Sequence, residues 1–336
     1  MSWSILLLCL LFLLLAGALY QARGAARDRR RHLAPGRLID VGGYSLHIYC
    51  TGLGRPAVVL ESGIGASALS WSLVQPQLSQ LTRVCSYDRA GLGWSDPGPR
   101  PHSARQCVVE LHTLLARACL PAPYVMVAHS FGGLIARLYA SEHPGEMAAL
   151  VLLDPLAPGE WLQLDRTRRR VLQGGVAFSR IGALLARLGV VRLCLARLSS
   201  GSTRFPRLVA QSFGREASGL VGRLVGEVRK LPPEVWPWAQ AHWSQPRCFA
   251  ALADYLAALP ESAAQAASAG PLRALPIIVL SAGNTSEERL AEHRALARLS
   301  PRGEHRIARG SGHWIQLDRP ELVVRAVRDA LALVGT

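Results

Sequence analysis

The chain has 336 residues, half of them hydrophobic, which is enough to bury a large core and excludes a disordered chain. Its formal net charge is +15, and arginine carries almost all of the positive charge because Lys230 is the only lysine. No basic-aromatic motif accompanies this charge, so the composition gives no reason to expect nucleic acid as a partner.

The first element in chain order is an uncharged apolar stretch over residues 3–20. As a helix it is about 27 Å long, enough to cross the hydrocarbon core of a bilayer. Arginines follow it between positions 23 and 31, and nothing basic precedes it except the amino terminus. Positive flanks stay in the cytoplasm, so the pattern predicts a transmembrane anchor over 1–22, in contact with membrane lipid through residues 3–20, and a cytoplasmic domain. The alternative is a signal peptide that is cleaved before export.

A basic linker is expected over 23–36, and eight apolar runs typical of strands follow it. Helical patterns separate most of these runs, which predicts an α/β fold with a mostly parallel central sheet and helices on both faces. Gly42-Gly43 between the first two runs predicts an antiparallel hairpin. The predicted strands are 37–41, 44–50, 57–60, 83–87, 125–128, 149–153, 277–280 and 305–308.

Two stretches, 37–157 and 271–336, follow this alternation, and residues 158–270 interrupt it. The interrupting stretch is rich in arginine and has a helical pattern, so it is expected to be a separate helical insertion. Seven cysteines are widely spaced and form no Cys-x-x-Cys pair. Their spacing predicts reduced core cysteines rather than a disulfide framework or a zinc site.

The shortest connection in the chain follows the strand at 125–128. The apolar run ends at Ala128-His129-Ser130-Phe131-Gly132, and a helical pattern begins at once. A turn this sharp exposes Ser130 above the sheet edge, next to a helix N-terminus. The segment resembles the nucleophile elbow Gly-x-Ser-x-Gly of the α/β-hydrolase superfamily, with Ala128 at the first glycine. His129 is expected to shape the turn.

A serine hydroxyl needs a base to remove its proton and an acid to orient that base. The superfamily has the chain order Ser, acid, His, which makes His313, in a Gly-His loop after the last predicted strand, the expected base. The expected acid is Asp154, at the carboxyl end of the strand at 149–153, where catalytic groups gather. Glu287 is the alternative acid, and Thr285-x-x-Glu288 is predicted to cap the following helix.

The resemblance also implies an oxyanion hole of two backbone N–H groups, those of Phe131 and Ile64. Ile64 lies in the glycine-rich segment 61–65, where Ser62 replaces the histidine of the family. The segment 86–95 is similar to the Asp-x-x-Gly-x-Gly-x-Ser motif of the superfamily. Its Asp88 and Arg89 are expected to form an ion pair with each other.

What the resemblance implies is a serine hydrolase whose insertion at 158–270 is a cap over the substrate pocket. The expected reaction cleaves a carboxylic ester of a small-molecule, lipophilic acyl substrate through an acyl-enzyme on Ser130, with no cofactor and no metal. A Ser-based haloperoxidase, a thioesterase and a carbon–carbon hydrolase of the same fold remain alternatives. So does a non-catalytic protein that binds a small ligand. Dehalogenases and epoxide hydrolases of this fold carry an aspartate where Ser130 stands.

Overall fold

A computed structural model describes residues 3–199 and 230–334. Among them, eight strands form one sheet in the order β1-β2-β4-β3-β5-β6-β7-β8. The strands are β1 Arg37–Asp40, β2 Ser45–Thr51, β3 Ala57–Glu61, β4 Val84–Tyr87, β5 Tyr124–His129, β6 Met147–Leu153, β7 Ile277–Ala282 and β8 Gly303–Ala308.

Helices precede, separate and follow these strands. In chain order, the α-helices of the described residues are α1 Trp3–Arg31, α2 Gln75–Leu78, α3 Ala104–Arg117, α4 Gly132–Glu142, α5 Gly159–Leu162, α6 Arg166–Arg187, α7 Val190–Ser199, α8 Trp236–Trp243, α9 Pro246–Ala257, α10 Leu259–Ala267, α11 Glu287–Ala297, α12 Ile315–Asp318 and α13 Pro320–Val334.

The predicted α/β fold is confirmed, and so is the leading hairpin. β1 pairs with β2 and β2 with β4 in antiparallel fashion, whereas the other neighbouring strands are parallel. The carboxylate of Asp40 accepts the backbone N–H groups of Gly42 and Gly43, which closes the hairpin turn. All five residues of β3 are buried, as a central parallel strand requires.

Two apolar layers cover the sheet. Along β3, Val59 belongs to the layer that also contains α3 and α4, and Val58 and Leu60 belong to the layer that contains α13. Alternate side chains of a strand point to opposite faces, so this central strand contributes to both layers. The sheet therefore holds the carboxyl ends of its parallel strands in fixed positions at one edge.

The described residues between β6 and β7 are helical, from α5 to α10. The longest of these helices, α6, packs closely on α9. A Cβ atom added at Gly182 would lie 2.5 Å from the Phe249 ring, so the contact requires glycine there. Of the predicted cap, residues 200–229 lie outside the described part of the chain.

Helix α1 extends further than the sequence pattern indicated. The linker expected over 23–36 is helical as far as Arg31. Gln21 and Ala25 are buried against the helices between β6 and β7, and this tertiary contact continues the helix beyond the apolar stretch. The apolar part of α1 is exposed, with a mean hydropathy of 2.5 over its most apolar window. One such helix near the N-terminus fits an anchor or a signal sequence.

The prediction that the cysteines are reduced is wrong for one pair. Cys50 and Cys85 form a disulfide, and their Cα atoms lie 4.0 Å apart. They are register partners on the antiparallel strands β2 and β4. Sequence spacing cannot reveal such a pair, because the register that joins the two residues depends on the folded sheet.

Candidate active site

Ser130 lies on the turn between β5 and α4, with φ at +53°. A positive φ is unfavourable for a residue with a side chain, and the surrounding structure holds it in place. The Ser130 N–H donates to the carbonyl of Leu153 at 3.0 Å. A Cβ atom at Gly132 would lie 2.7 Å from the Glu61 side chain and 2.8 Å from the Ser62 carbonyl oxygen. The turn is therefore tight against the segment after β3, and only glycine fits at position 132.

In the structure, the side chains of Ser130, His313 and Asp154 lie within hydrogen-bond distance of one another in that order. His313 Nε2 lies 3.0 Å from the Ser130 hydroxyl oxygen, and His313 Nδ1 lies 2.6 Å from Asp154 Oδ2. Ser130 and Asp154 are buried, while the side chain of His313 is 39% exposed. In this arrangement Nδ1–H donates to the carboxylate, which leaves Nε2 free to accept the proton of the serine hydroxyl.

Asp154 follows β6 and takes a positive φ of +38°. Its Oδ1 accepts the Ala282 N–H at 3.1 Å and the Thr285 hydroxyl at 2.9 Å. Burial by itself raises the pKa of Asp154, but His313 and these two donors outweigh it and hold that pKa well below its usual value. The carboxylate is thus kept ionised and turned toward the imidazole.

Glu287, the alternative acid, lies elsewhere. Its side chain is 85% exposed and approaches Arg294 at 3.7 Å rather than His313. The N-cap residue predicted for the following helix, Thr285, is wrong by one position. Ser286 is the N-cap of α11, because its side chain accepts the Arg289 N–H. Thr285 is thereby free to donate to Asp154.

The N–H groups expected to bind an oxyanion come from two segments that touch. Neither the Phe131 nor the Ile64 N–H donates a hydrogen bond to another residue in 3–199 or 230–334. A Cβ atom at Gly63 would lie 2.8 Å from His129 Nδ1 and 3.4 Å from Ser130 Cβ. The loop that carries Ile64 therefore packs directly on the turn that carries Ser130.

Arg89 holds the loop that carries Ile64 through hydrogen bonds to its backbone. Its guanidinium donates to the carbonyl oxygens of Ser62, at 2.6 Å, and Gly63, and it forms a buried ion pair with Glu61. Tyr87 donates its hydroxyl to the same Glu61 carboxylate. Within the described residues, the hydrogen-bond acceptors of the Arg89 guanidinium are thus all at the end of β3, next to the expected oxyanion donor Ile64.

The expected ion pair between Asp88 and Arg89 does not form. Asp88 instead bonds His47 Nδ1 at 2.8 Å and accepts the backbone N–H groups of Ala68 and Trp94. Successive residues of an extended chain point in opposite directions, so neighbours at the end of β4 contact different elements.

The loop that carries His313 is held by polar contacts. The Asp318 carboxylate accepts the Gly312 N–H at 2.8 Å and pairs with Lys230. His129 Nε2 lies 2.8 Å from the carbonyl oxygen of His313, so the N–H of a neutral His129 donates to that carbonyl. Burial, followed by the nearby His313, lowers the pKa of His129 to about 3 and keeps it neutral.

An apolar cavity of about 320 Å³ adjoins this cluster. One wall contains Ile64, which carries an expected oxyanion donor, and Trp314, which follows His313 in the chain. The rest of the lining comes mainly from helices α6, α8 and α9. Its volume is at the lower end of the range for small-molecule sites. The helices between β6 and β7 therefore cover the carboxyl edge of the sheet with an apolar chamber.

The sequence model of the alpha/beta hydrolase fold family matches residues 56–320, which contain the sheet from β3 onward, Ser130, Asp154 and His313. The chain belongs to the α/β-hydrolase family. Solved structures agree with this at the level of the fold. An esterase from Thermogutta terrifontis superposes with a TM-score of 0.61 at 20% identity, covering 89% of this chain and all of that one.

A second solved structure, the Cif epoxide hydrolase from Acinetobacter nosocomialis, superposes on this chain with a TM-score of 0.67 at 16% identity, over 94% of this chain and 96% of that one. Among curated sequences, YqjL, an uncharacterized protein of Bacillus subtilis, is 32% identical over 35% of this chain. The putative carbamate hydrolase RutD of Escherichia coli O157:H7 is 31% identical over 46% of it. The chain spans about half the length of these two relatives, 49% and 57% respectively.

The sequence pattern also did not indicate one group of side chains of the type that binds metal ions. His112, His143 and Glu146 bring their ligand atoms within 4.8 Å of one another. Because His112 comes from α3 and the other two follow α4, no spacing in the sequence indicates the group. Glu146 precedes β6 and Asp154 follows it, so the two clusters lie at opposite ends of the same strand.

Proposed function

We propose that the chain is a serine hydrolase that cleaves a carboxylic ester with a lipophilic acyl group, through an acyl-enzyme on Ser130. The observation that carries the proposal is the continuous line from the Ser130 hydroxyl through His313 to Asp154, with contacts of 3.0 Å and 2.6 Å. This arrangement fits nucleophilic attack by serine with histidine as the base.

In the first step, the Ser130 oxygen attacks the ester carbonyl and His313 Nε2 takes its proton. The imidazolium then protonates the departing alkoxide, so the alcohol leaves and the acyl group stays on Ser130. In the second step, water gives a proton to His313 and attacks the acyl carbon, and the carboxylic acid leaves as Ser130 regains its proton. Asp154 stays ionised throughout and stabilises the imidazolium.

The negative oxygen of each tetrahedral intermediate is expected to accept hydrogen bonds from the N–H groups of Phe131 and Ile64. Two observations support this role: neither group donates to another described residue, and both belong to segments in contact with Ser130. A donor of this kind contributes about 3 kcal/mol to lowering the barrier. Arg89 supports the hole indirectly, because it fixes the carbonyl groups just before Ile64.

The adjoining cavity supports the proposed substrate class. Its walls combine Ile64 and Trp314 with apolar residues of the cap helices, among them Phe178, Phe249 and Leu252. Such a lining favours an acyl chain over a charged or strongly polar group. Epoxide hydrolysis is less compatible with this site, since Ser130 stands where those enzymes have an aspartate.

The enzyme is proposed to be attached to a membrane through residues 3–20. The exposure of this apolar part of α1 supports the proposal. The arginines after it favour a cytoplasmic domain, whereas the Cys50–Cys85 disulfide is typical of an oxidising compartment. Protease protection in sealed vesicles distinguishes the two orientations, and resistance to alkaline carbonate extraction tests attachment itself.

The hydrolysis of p-nitrophenyl esters by the full-length chain in a non-ionic detergent tests the reaction. We expect turnover by the native chain and none above background for Ser130→Ala. Matching melting temperatures show that both chains are folded. Turnover that persists in Ser130→Ala contradicts the acyl-enzyme, and the absence of turnover in both chains, with ester binding retained, favours a ligand-binding protein.

A further inference from the structure

The cap helices hold helix α1 through a buried polar network. Gln21 is 6% exposed, and its side-chain amide donates to the Ser244 carbonyl at 2.9 Å and accepts from Arg192 Nε at 2.9 Å. Arg192 also pairs with Asp28 at 2.7 Å and donates to the Ser244 hydroxyl. These hydrogen bonds and the ion pair hold α1 in position against the helices between β6 and β7.

Two glycines allow helix α1 to lie close to the connection between α6 and α7. A Cβ atom at Gly17 would lie 2.4 Å from the Leu188 carbonyl oxygen, and one at Gly189 would lie 2.9 Å from the Tyr20 ring. The corner between α6 and α7 therefore touches α1 where its apolar stretch ends. If residues 3–20 cross a membrane, this corner lies at the depth of the lipid headgroups.

At this junction α1, α7 and α8 enclose a cavity of about 250 Å³. Its polar wall contains Arg27 and Arg31 of α1, with the paired Arg192 and Asp28 beside them. Both Arg27 and Arg31 are exposed and have no ion-pair partner within residues 3–199 and 230–334. The net charge of the cavity wall is therefore positive, and the guanidinium groups of Arg27 and Arg31 are available to a ligand.

We propose that this cavity binds the phosphate headgroup of an acidic membrane lipid. Guanidinium groups form paired, charge-assisted hydrogen bonds with phosphate oxygens. Tyr20 forms the membrane side of the cavity, and Leu195 and Pro237 give it an apolar surface for the glycerol region of the lipid. The bound lipid then links the anchor to the cap, so the cap has a fixed position on the membrane surface.

This binding site rests on the proposed membrane helix and is independent of ester hydrolysis, so Ser130→Ala is expected to bind the lipid like the native chain. The test uses the full-length chain in a non-ionic detergent and measures its melting temperature. The three additives are dihexanoyl phosphatidylglycerol, dihexanoyl phosphatidylcholine and inorganic phosphate. Two double variants remove equal charge: Arg27→Gln/Arg31→Gln alters the cavity, and Arg29→Gln/Arg30→Gln alters residues of the same helix outside it.

We expect phosphatidylglycerol at saturation to raise the melting temperature by about 4 °C or more, and the other two additives to raise it less. The shift should disappear in Arg27→Gln/Arg31→Gln and remain in Arg29→Gln/Arg30→Gln. An equal shift with inorganic phosphate would identify a free-anion site and overturn the lipid proposal. An equal loss in both double variants, or no shift in the native chain, would overturn it as well.

Discussion

His313 and Asp154 are 159 positions apart in the chain, and yet His313 Nδ1 lies 2.6 Å from Asp154 Oδ2. The carboxylate is held by the Ala282 N–H and the Thr285 hydroxyl, so its second oxygen faces the imidazole. Because both residues follow core strands, β6 and β8, the parallel sheet itself brings them to one edge.

The first prediction concerns Asp154. Asp154→Asn keeps the shape of the side chain but removes the charge that orients and stabilises the imidazolium of His313, so kcat should fall by about 10³–10⁴-fold with little change in KM. Ester turnover under saturating conditions measures it. Glu287→Gln is the control and should keep native kcat. If Glu287→Gln lost activity and Asp154→Asn retained it, the assignment of the acid would be wrong.

The second prediction concerns the buried pair of Arg89 and Glu61. Arg89→Met leaves the Glu61 carboxylate buried without its cation, which should lower the free energy of unfolding by about 3–5 kcal/mol. Urea unfolding of the full-length chain in detergent measures this. Arg100→Met removes an arginine that is 71% exposed and paired with Asp254, so it should change that free energy by less than about 1 kcal/mol.

Arg89→Met should also lower kcat, because the guanidinium donates its other hydrogen bonds to the carbonyl groups of Ser62 and Gly63, just before Ile64. The double variant Glu61→Gln/Arg89→Met should recover part of the lost stability but not the lost kcat, since the loop before Ile64 stays loose. Full recovery of kcat in the double variant would show that Arg89 does not position the oxyanion hole.

The third prediction concerns pH and His129. The pKa of this buried imidazole is lowered from 6.5 to about 3. Below pH 6.5 the unfolded chain therefore takes up a proton that the folded chain does not, and stability falls as the pH drops from 6.5 toward 3. In His129→Gln this contribution is absent, so the melting temperature should fall less steeply over that range. An unchanged slope would contradict the neutral, buried state of His129.

The fourth prediction concerns the apolar cavity. Gly175 lines it, and a Cβ atom there would make an ordinary contact with Leu256 at 3.4 Å, so the backbone accepts a side chain at this position and Gly175→Leu should reduce the space in the cavity. KM should rise for long-chain p-nitrophenyl esters and stay near native for the acetate. Gly174→Leu is the control on the same helix, because a Cβ atom there meets nothing within 4 Å. Equal effects of both variants on long-chain esters would exclude this cavity as the acyl site.

Local sequence patterns were sufficient to predict most of the strands and helices. Each predicted strand overlaps an observed one, because continuous apolar runs with turn residues at their ends are local signals. Ser103 caps α3 by accepting the Gln106 N–H, which is likewise a contact between neighbouring residues. The turn that carries Ser130 and the Gly-His loop that carries His313 could also be predicted from the sequence, since short segments with small residues specify both.

Contacts between distant segments could not be predicted in the same way. Arg89 and Asp88 are adjacent in sequence, but the sheet turns one toward Glu61 and the other toward His47. Cys50 meets Cys85 only through the register of β2 and β4. The length of α1 was underestimated for the same reason, because its second half is stabilised by contact with the helices between β6 and β7.

The most direct measurement of the central claim is covalent labelling by a fluorophosphonate probe, followed by peptide mass spectrometry of the full-length chain. A serine activated by His313 and Asp154 should react, and the label should be on Ser130, with labelling lost in Ser130→Ala and strongly slowed in His313→Ala. Labelling at another serine, or no labelling of a folded native chain that binds esters, would contradict the account.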